Sequence, residues 1–188
     1  MNNIHHTAIL EAHPDVMMDD CHIDLIRSLV LSSKPATILE IGIGTGAVTA
    51  TLLKAIKTNG IGSLTCVDNF VDWNFNTPKG FEQLEGAVEF IQSTEEAFID
   101  TCDRKFDFII SDADHNNTGR WFNSTLSLLN DGGILIYHDA TSPHYPSVSH
   151  CLRLAGEQNL DHMVFNKSSQ PWERCERGLL VIMKGRSA

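Results

Sequence analysis

The stretch TILEIGIGTGAVTATLL, residues 37–53, passes from a largely apolar strand through the alternate glycines Gly42, Gly44 and Gly46 into an amphipathic helix. Bare backbone at a strand-to-helix joint allows a tight turn and lets a ligand approach the N–H groups that open the helix. A dinucleotide satisfies the pattern. Gly42, Gly44 and Ala47 keep the spacing G-x-G-x-x-G/A, and Asp68 follows at the distance where an acid meets a ribose. A different nucleoside cofactor satisfies it too, so the decision falls to the rest of the chain.

Outward from this joint the chain alternates. Strands are predicted at 37–42, 63–68, 88–92, 106–111 and 133–138, with helices at 45–57, near 80–87, at 94–102, at 117–129 and at 146–158. Strict alternation gives parallel strands with right-handed crossovers and helices on both faces. The ending departs from it: DHMVFN and RGLLVIMK are strand-like, and the segment KSSQPWERCE between them is too short and polar for a crossover helix. An antiparallel hairpin is expected there. Before the first strand, Ile23, Ile26, Leu29 and Val30 recur at helical spacing, and SSKP breaks the pattern. The expected organisation is one α/β domain over residues 1–188, with an N-terminal helical segment (1–35) and a Rossmann-like core (36–188). Its sheet is doubly wound, mostly parallel and seven-stranded.

Composition sets further bounds. A chain of 188 residues buries one good core and leaves little for a second. Its net charge of −10 repels phosphate backbones, and Arg153, Lys167, Arg174, Arg177, Lys184 and Arg186 read as a scattered solvated face. Nucleic acid is therefore not expected as a partner. No apolar run is long enough for a membrane span, and MNNIHHTAILEAHPD lacks the layout of a secretory signal, so the expected location is cytoplasmic. Five cysteines with no C-x-x-C pair argue for free thiols over a disulfide framework or structural zinc.

The glycine loop after the first strand, together with the hairpin ending, resembles class I S-adenosylmethionine-dependent methyltransferases. The likeness runs from about Ala36 to Lys184. It implies S-adenosylmethionine as cofactor, lying against EIGIGTG, with Glu40 receiving its ammonium and Asp68 accepting both ribose hydroxyls. Ser93 and Thr94 stand where the family contacts adenine, although Ser93 with Glu96 also forms a capping box.

Two polar clusters end neighbouring strands: SDADHNN after FDFII, and HDATSPHY after GGILIY. Ligands bind beyond the carboxyl ends of strands in such sheets, so Asp112, His115, His138 and Asp139 are expected to converge on a divalent cation with a base beside it. DADH followed by LLNDGGILIYHDA is similar to the methyltransferases that include macrolide-sugar O-methyltransferases and cephalosporin-biosynthesis relatives. That resemblance makes Asp112 and Asp139 metal ligands, His138 a third ligand and His115 the general base, with Asp112 also at the cofactor. Relatives with magnesium sites usually carry an acid where this chain has His138. Imidazole is a poor magnesium ligand, which leaves three readings: a softer ion such as manganese, a substrate role for His138, or loss of the metal. Asp114 reads equally as a helix cap.

The expected reaction is methyl transfer to a hydroxyl of a small molecule. An alkyl hydroxyl, with a pKa near ~15.7, lies about 9 units above histidine, on the order of 12 kcal/mol if the proton leaves first. A metal on the oxygen, or proton transfer concerted with attack, removes much of that. SDAD in place of a [D/N]-P-P-[Y/F] motif argues against methylation of nucleic-acid amino groups. A silent S-adenosylmethionine-binding module and an NAD(P)-dependent oxidoreductase stay as rivals. Trp73, Tyr145 and Trp172 are weak acceptor contacts, and a homodimer is left open.

Overall fold

The computed structural model describes residues 18–44, 46–69, 88–166 and 177–185. The expected helix near 80–87, and Trp73 and Trp172, lie outside them. Helix α1 (Asp20–Ser33) precedes β1 (Thr37–Ile41), α2 (Ala47–Asn59), β2 (Ser63–Asp68) and β3 (Val88–Gln92). Then come α3 (Glu95–Thr101), β4 (Phe106–Ser111), a 3-10 turn (Thr118–Arg120), α4 (Phe122–Ser127) and β5 (Leu129–Tyr137), followed by α5 (Pro146–Glu157), β6 (Asp161–Phe165) and β7 (Leu179–Met183). Among the described residues, no helix is long and apolar enough to cross a membrane, and no disulfide joins Cys21, Cys66, Cys102 and Cys151.

The seven strands form one sheet in the order β3-β2-β1-β4-β5-β7-β6. The ladders from β3 to β5 are parallel. β7 pairs antiparallel with both β5 and β6, as the hairpin reading expects. Strand period 2 sends alternate residues to opposite faces. Ile38, Leu64, Phe108, Ile110 and Val181 join Ile26, Val30 and Leu52 of α1 and α2 in one core. Leu39, Ile41, Ile109, Leu135 and Ile182 join Phe98 of α3, Phe122 of α4 and Val148 of α5 in the other. Two apolar layers thus clamp the sheet, and its strand ends are left to carry polar groups.

One expected helix is corrected. Residues 117–129 give a 3-10 turn and a six-residue helix, not one continuous helix. Hydroxyls there bond backward to carbonyls, Thr118 Oγ1 to Asp114 and Thr125 Oγ1 to Trp121, competing with a regular ladder. Strand β5 also begins earlier than expected, at Leu129 instead of residue 133, because Leu129 already pairs with Phe106.

Candidate active site

The strand order reverses between β1 and β4, the switch point at which open α/β sheets bind ligands. Backbone bonds continue past the strands: Ser93 N to Asp68 O, Gly42 N to Val67 O, Asp112 N to Ile41 O and His138 N to Ser111 O. They set the five strand ends side by side around a cleft of about 790 Å³.

On its first side lies the glycine loop. Gly42, with φ +88°, runs so near β4 that a Cβ would meet the Asp112 carbonyl oxygen at 2.3 Å, whereas a Cβ on Gly44 would meet nothing within 4 Å. Asp68 is on the wall, and its Oδ2 accepts the Ile43 N–H at 2.8 Å, pinning the loop to the end of β2. Ser93 and Thr94 are on the wall as expected.

Two expected cofactor residues are not. Gly46 sits behind the loop, opening α2 in a left-handed conformation (φ 78°). Glu40 is 1% exposed and faces α2, because it shares a strand face with Ile38. Its Oε2 accepts Thr49 Oγ1 at 2.7 Å and Cys66 Sγ at 3.1 Å, while Oε1 is buried without a hydrogen bond. Burial pushes its carboxyl up to about 8 against those bonds. The carboxylate therefore ties β1 to α2 and β2, turned away from the cleft. The capping box is corrected too: Thr94, not Ser93, caps α3, accepting the Ala97 N–H at 3.2 Å.

On the other side the expected convergence is present. His115 Nε2 lies 3.2 Å from Asp112 Oδ1 and 3.0 Å from Asp139 Oδ2. His138 Nδ1 lies 3.2 Å from Asp112 Oδ1 and 3.5 Å from Asp139 Oδ2. Two carboxylates thus share two imidazoles. Burial opposes charge on His115, but the hydrogen bonds and charges of Asp112 and Asp139 outweigh it and raise its pKa to about 10. Those same contacts favour the protonated imidazole. Burial likewise opposes ionisation of Asp112, and the two histidines hold it well below the usual carboxylate range. His138, 3% exposed, is raised against burial by Asp112 first. Asp139 takes φ 59°, a left-handed backbone that aspartate tolerates better than most residues.

The residues fit a cation. Asp112, His138 and Asp139 offer ligand atoms all within 4.8 Å of one another. One imidazole nitrogen with two carboxylates suits manganese or iron better than magnesium. Asp114 caps the turn that follows it: its Oδ1 accepts the Asn116 and Asn117 N–H groups. Tyr145 reaches the wall with its ring centroid 4.3 Å from that of His115.

Three neighbours escaped the sequence reading. Glu95 is a buried wall residue, bonded to Ser111, Asp114 and Thr118. Arg177, on the wall, places Nε 3.7 Å from Asp139 Oδ1. It precedes β7, and the start of a reversed strand lies at the carboxyl edge of its neighbours, a signal the sequence did hold. His22 of α1 packs edge-on against His138 with centroids 5.4 Å apart, which only tertiary structure reveals.

Comparison with solved structures places the chain among proteins of the same architecture. A protein of the same fold from Klebsiella pneumoniae superposes with a TM-score of 0.81 at 15% identity, over 98% of this chain and 91% of that one. The O-methyltransferase TomG of Streptomyces achromogenes, in complex with SAM, gives 0.78 at 18% over 98% and 92%. An O-methyltransferase from Bacillus cereus, in complex with SAH, gives 0.76 at 18% over 98% and 92%. At such identities the likeness is one of fold. No curated protein sequence matches the chain significantly. The model of a methyltransferase domain family matches residues 39–140, more than half of the sequence, spanning the glycine loop, Asp68 and both polar strand ends. By fold, by that match and by the position of its cleft, the chain belongs to the methyltransferase domain family.

Proposed function

We propose that this methyltransferase moves a methyl group from S-adenosylmethionine to a hydroxyl of a small molecule, with Asp112, His138 and Asp139 holding a divalent cation and His115 acting as base. The observation that carries the reading is convergence: these four side chains meet at the ends of β4 and β5, in the cleft that the glycine loop and Asp68 wall on its other side. Solved relatives of the same fold were crystallised with SAM or SAH. The cleft volume lies in the range of small-molecule sites.

The cation would supply Lewis acidity, lowering the hydroxyl pKa. Asp68 binds the ribose, and the bare turn at Gly44 leaves room for the methionine portion. Tyr145 holds one face of the His115 ring. With a cation drawing the charge of Asp112 and Asp139 away, His115 would release its Nε2 proton to solvent and then accept the hydroxyl proton at that atom. Orientation of acceptor and sulfonium in one cleft contributes beside the proton transfer.

Calorimetry should show SAH binding far ahead of NAD(P), and Asp68→Ala should weaken it by roughly 1.5 to 3 kcal/mol. Tight nicotinamide binding without SAH binding contradicts the reading. Mn²⁺ titrated by electron paramagnetic resonance should bind wild type and be lost in Asp112→Asn and Asp139→Asn. With an acceptor found by following SAH release across hydroxyl compounds, His115→Ala should lower kcat by about 10² to 10⁴ with SAH affinity intact. Normal turnover in His115→Ala with a dead His138→Ala would reverse the two histidines.

A further inference from the structure

Glu95 opens α3 with a side chain only 4% exposed, although an acid in a first helical turn is ordinarily solvated. Its oxygens are directed at one place. Oε1 accepts Ser111 Oγ at 2.8 Å; Oε2 accepts Thr118 Oγ1 at 2.9 Å and the Asp114 N–H at 3.3 Å. Ser111 immediately precedes Asp112, Asp114 immediately precedes His115, and Thr118 closes the turn after it. One buried carboxylate therefore bonds both flanks of the D-x-x-H segment while touching neither Asp112 nor His115. The segment has two further anchors, the Asp112 N–H on the Ile41 carbonyl and Asp114 capping Asn116 and Asn117, but the first holds only its start and the second ties the turn to itself.

Resting on the reading above, we propose that Glu95 is the positioning residue of the reaction side of the cleft: it fixes Asp112 and His115 relative to β4 through three hydrogen bonds. All three donors are neutral groups of the segment, so it is their geometry that Glu95 determines. A 1 Å displacement of such groups is costly to metal binding and to proton transfer alike. Neighbouring Ser93 and Thr94 face the other half of the cleft, so loss of Glu95 should spare the cofactor.

The test uses the intact chain with two probes, Mn²⁺ by electron paramagnetic resonance and SAH by calorimetry. Glu95→Ala should weaken Mn²⁺ at least tenfold and change SAH affinity less than threefold. Glu95→Gln should restore Mn²⁺ to within threefold of wild type, because its amide oxygen still accepts from Asp114 and Thr118 and its NH₂ can donate to a rotated Ser111. Unchanged Mn²⁺ affinity in Glu95→Ala overturns the proposal. So does SAH affinity falling as far as Mn²⁺ affinity, which would make Glu95 a cofactor contact, or Glu95→Gln behaving like alanine. Should wild type itself take up no Mn²⁺, the metal reading falls and amide exchange decides Glu95 separately. Exchange over residues 112–118 should then rise at least tenfold in Glu95→Ala and return in Glu95→Gln, and no rise overturns it. If Glu95→Ala does not fold, the double variant Ser111→Ala, Thr118→Val removes two of the bonds from the other side and should give the same pattern.

Discussion

Gly42 and Gly44 stand two residues apart and are bare for different reasons. At Gly42 a side chain would collide with the backbone of Asp112, while at Gly44 it would enter open cleft. Gly42→Ala should therefore cost more than about 3 kcal/mol, beyond the ordinary range for a point change, and Gly44→Ala only the roughly 1 to 2 kcal/mol of a left-handed alanine. Urea titrations of the two variants check this, and equal losses would contradict it. Glu40 has its own signature. Its folded pKa of about 8 stands above the usual 4.5, so the folded chain holds a proton that the unfolded chain releases. The associated stability is complete below about pH 4.5 and is lost as pH rises through about 8, by at most on the order of 4 to 5 kcal/mol. Urea midpoints of ligand-free protein at pH 5 and pH 8 should diverge for wild type and diverge less for Glu40→Gln, the remainder belonging to His115 and His138, whose raised pKa values act in the same direction. An unchanged slope in Glu40→Gln would assign the pH dependence to another group. That Glu40 turns from the cleft was legible in principle, since alternation puts it on the Ile38 face. The family resemblance pointed the other way.

Among the elements, α1 shows how far periodicity reaches. Ile26 and Val30 are fully buried against α2 and the sheet, and the same helix delivers His22 to the flank of His138. Ile26→Ala should cost about 2 to 5 kcal/mol, while Asp24→Ala on the exposed side stays within about 0.5. Thermal melts compare the two, and similar losses would show that α1 is not docked as described. Apolar spacing made this helix readable, but not what its buried histidine touches, because spacing identifies a face and not the partner of that face. The segment after His115 failed for a different reason. Its length suits a helix, yet Asn, Ser and Thr side chains compete for the backbone, and Gly119 packs where a Cβ would meet the Ser147 carbonyl at 2.5 Å. Contact with α5 sets the local geometry there, and no window of sequence contains that contact.

For the molecule as a whole, the alternation of apolar strands and helices was legible because strands buried on both faces read as nearly continuous apolar runs. LEIGIG, FDFII and GGILIY announced their strand ends, and parallel pairing of β4 with β5 then brought Asp112 beside His138. What the sequence did not reveal was α3 sending Glu95 to the turn beyond β4, whereas the reversed β7 that brings Arg177 to Asp139 was a signal it held and that went unread. That reversal has a bearing on biosynthesis. β6 leaves the ribosome before β7, yet in the sheet β7 lies between it and β5, and the described residues give β6 no other strand to pair with. Until β7 emerges, the outer edge of β5 is an open template for foreign strands, and β6 has nothing to join. The nascent chain is thus exposed to aggregation until β7 slides in between β5 and β6, so chaperones should matter at that point of synthesis.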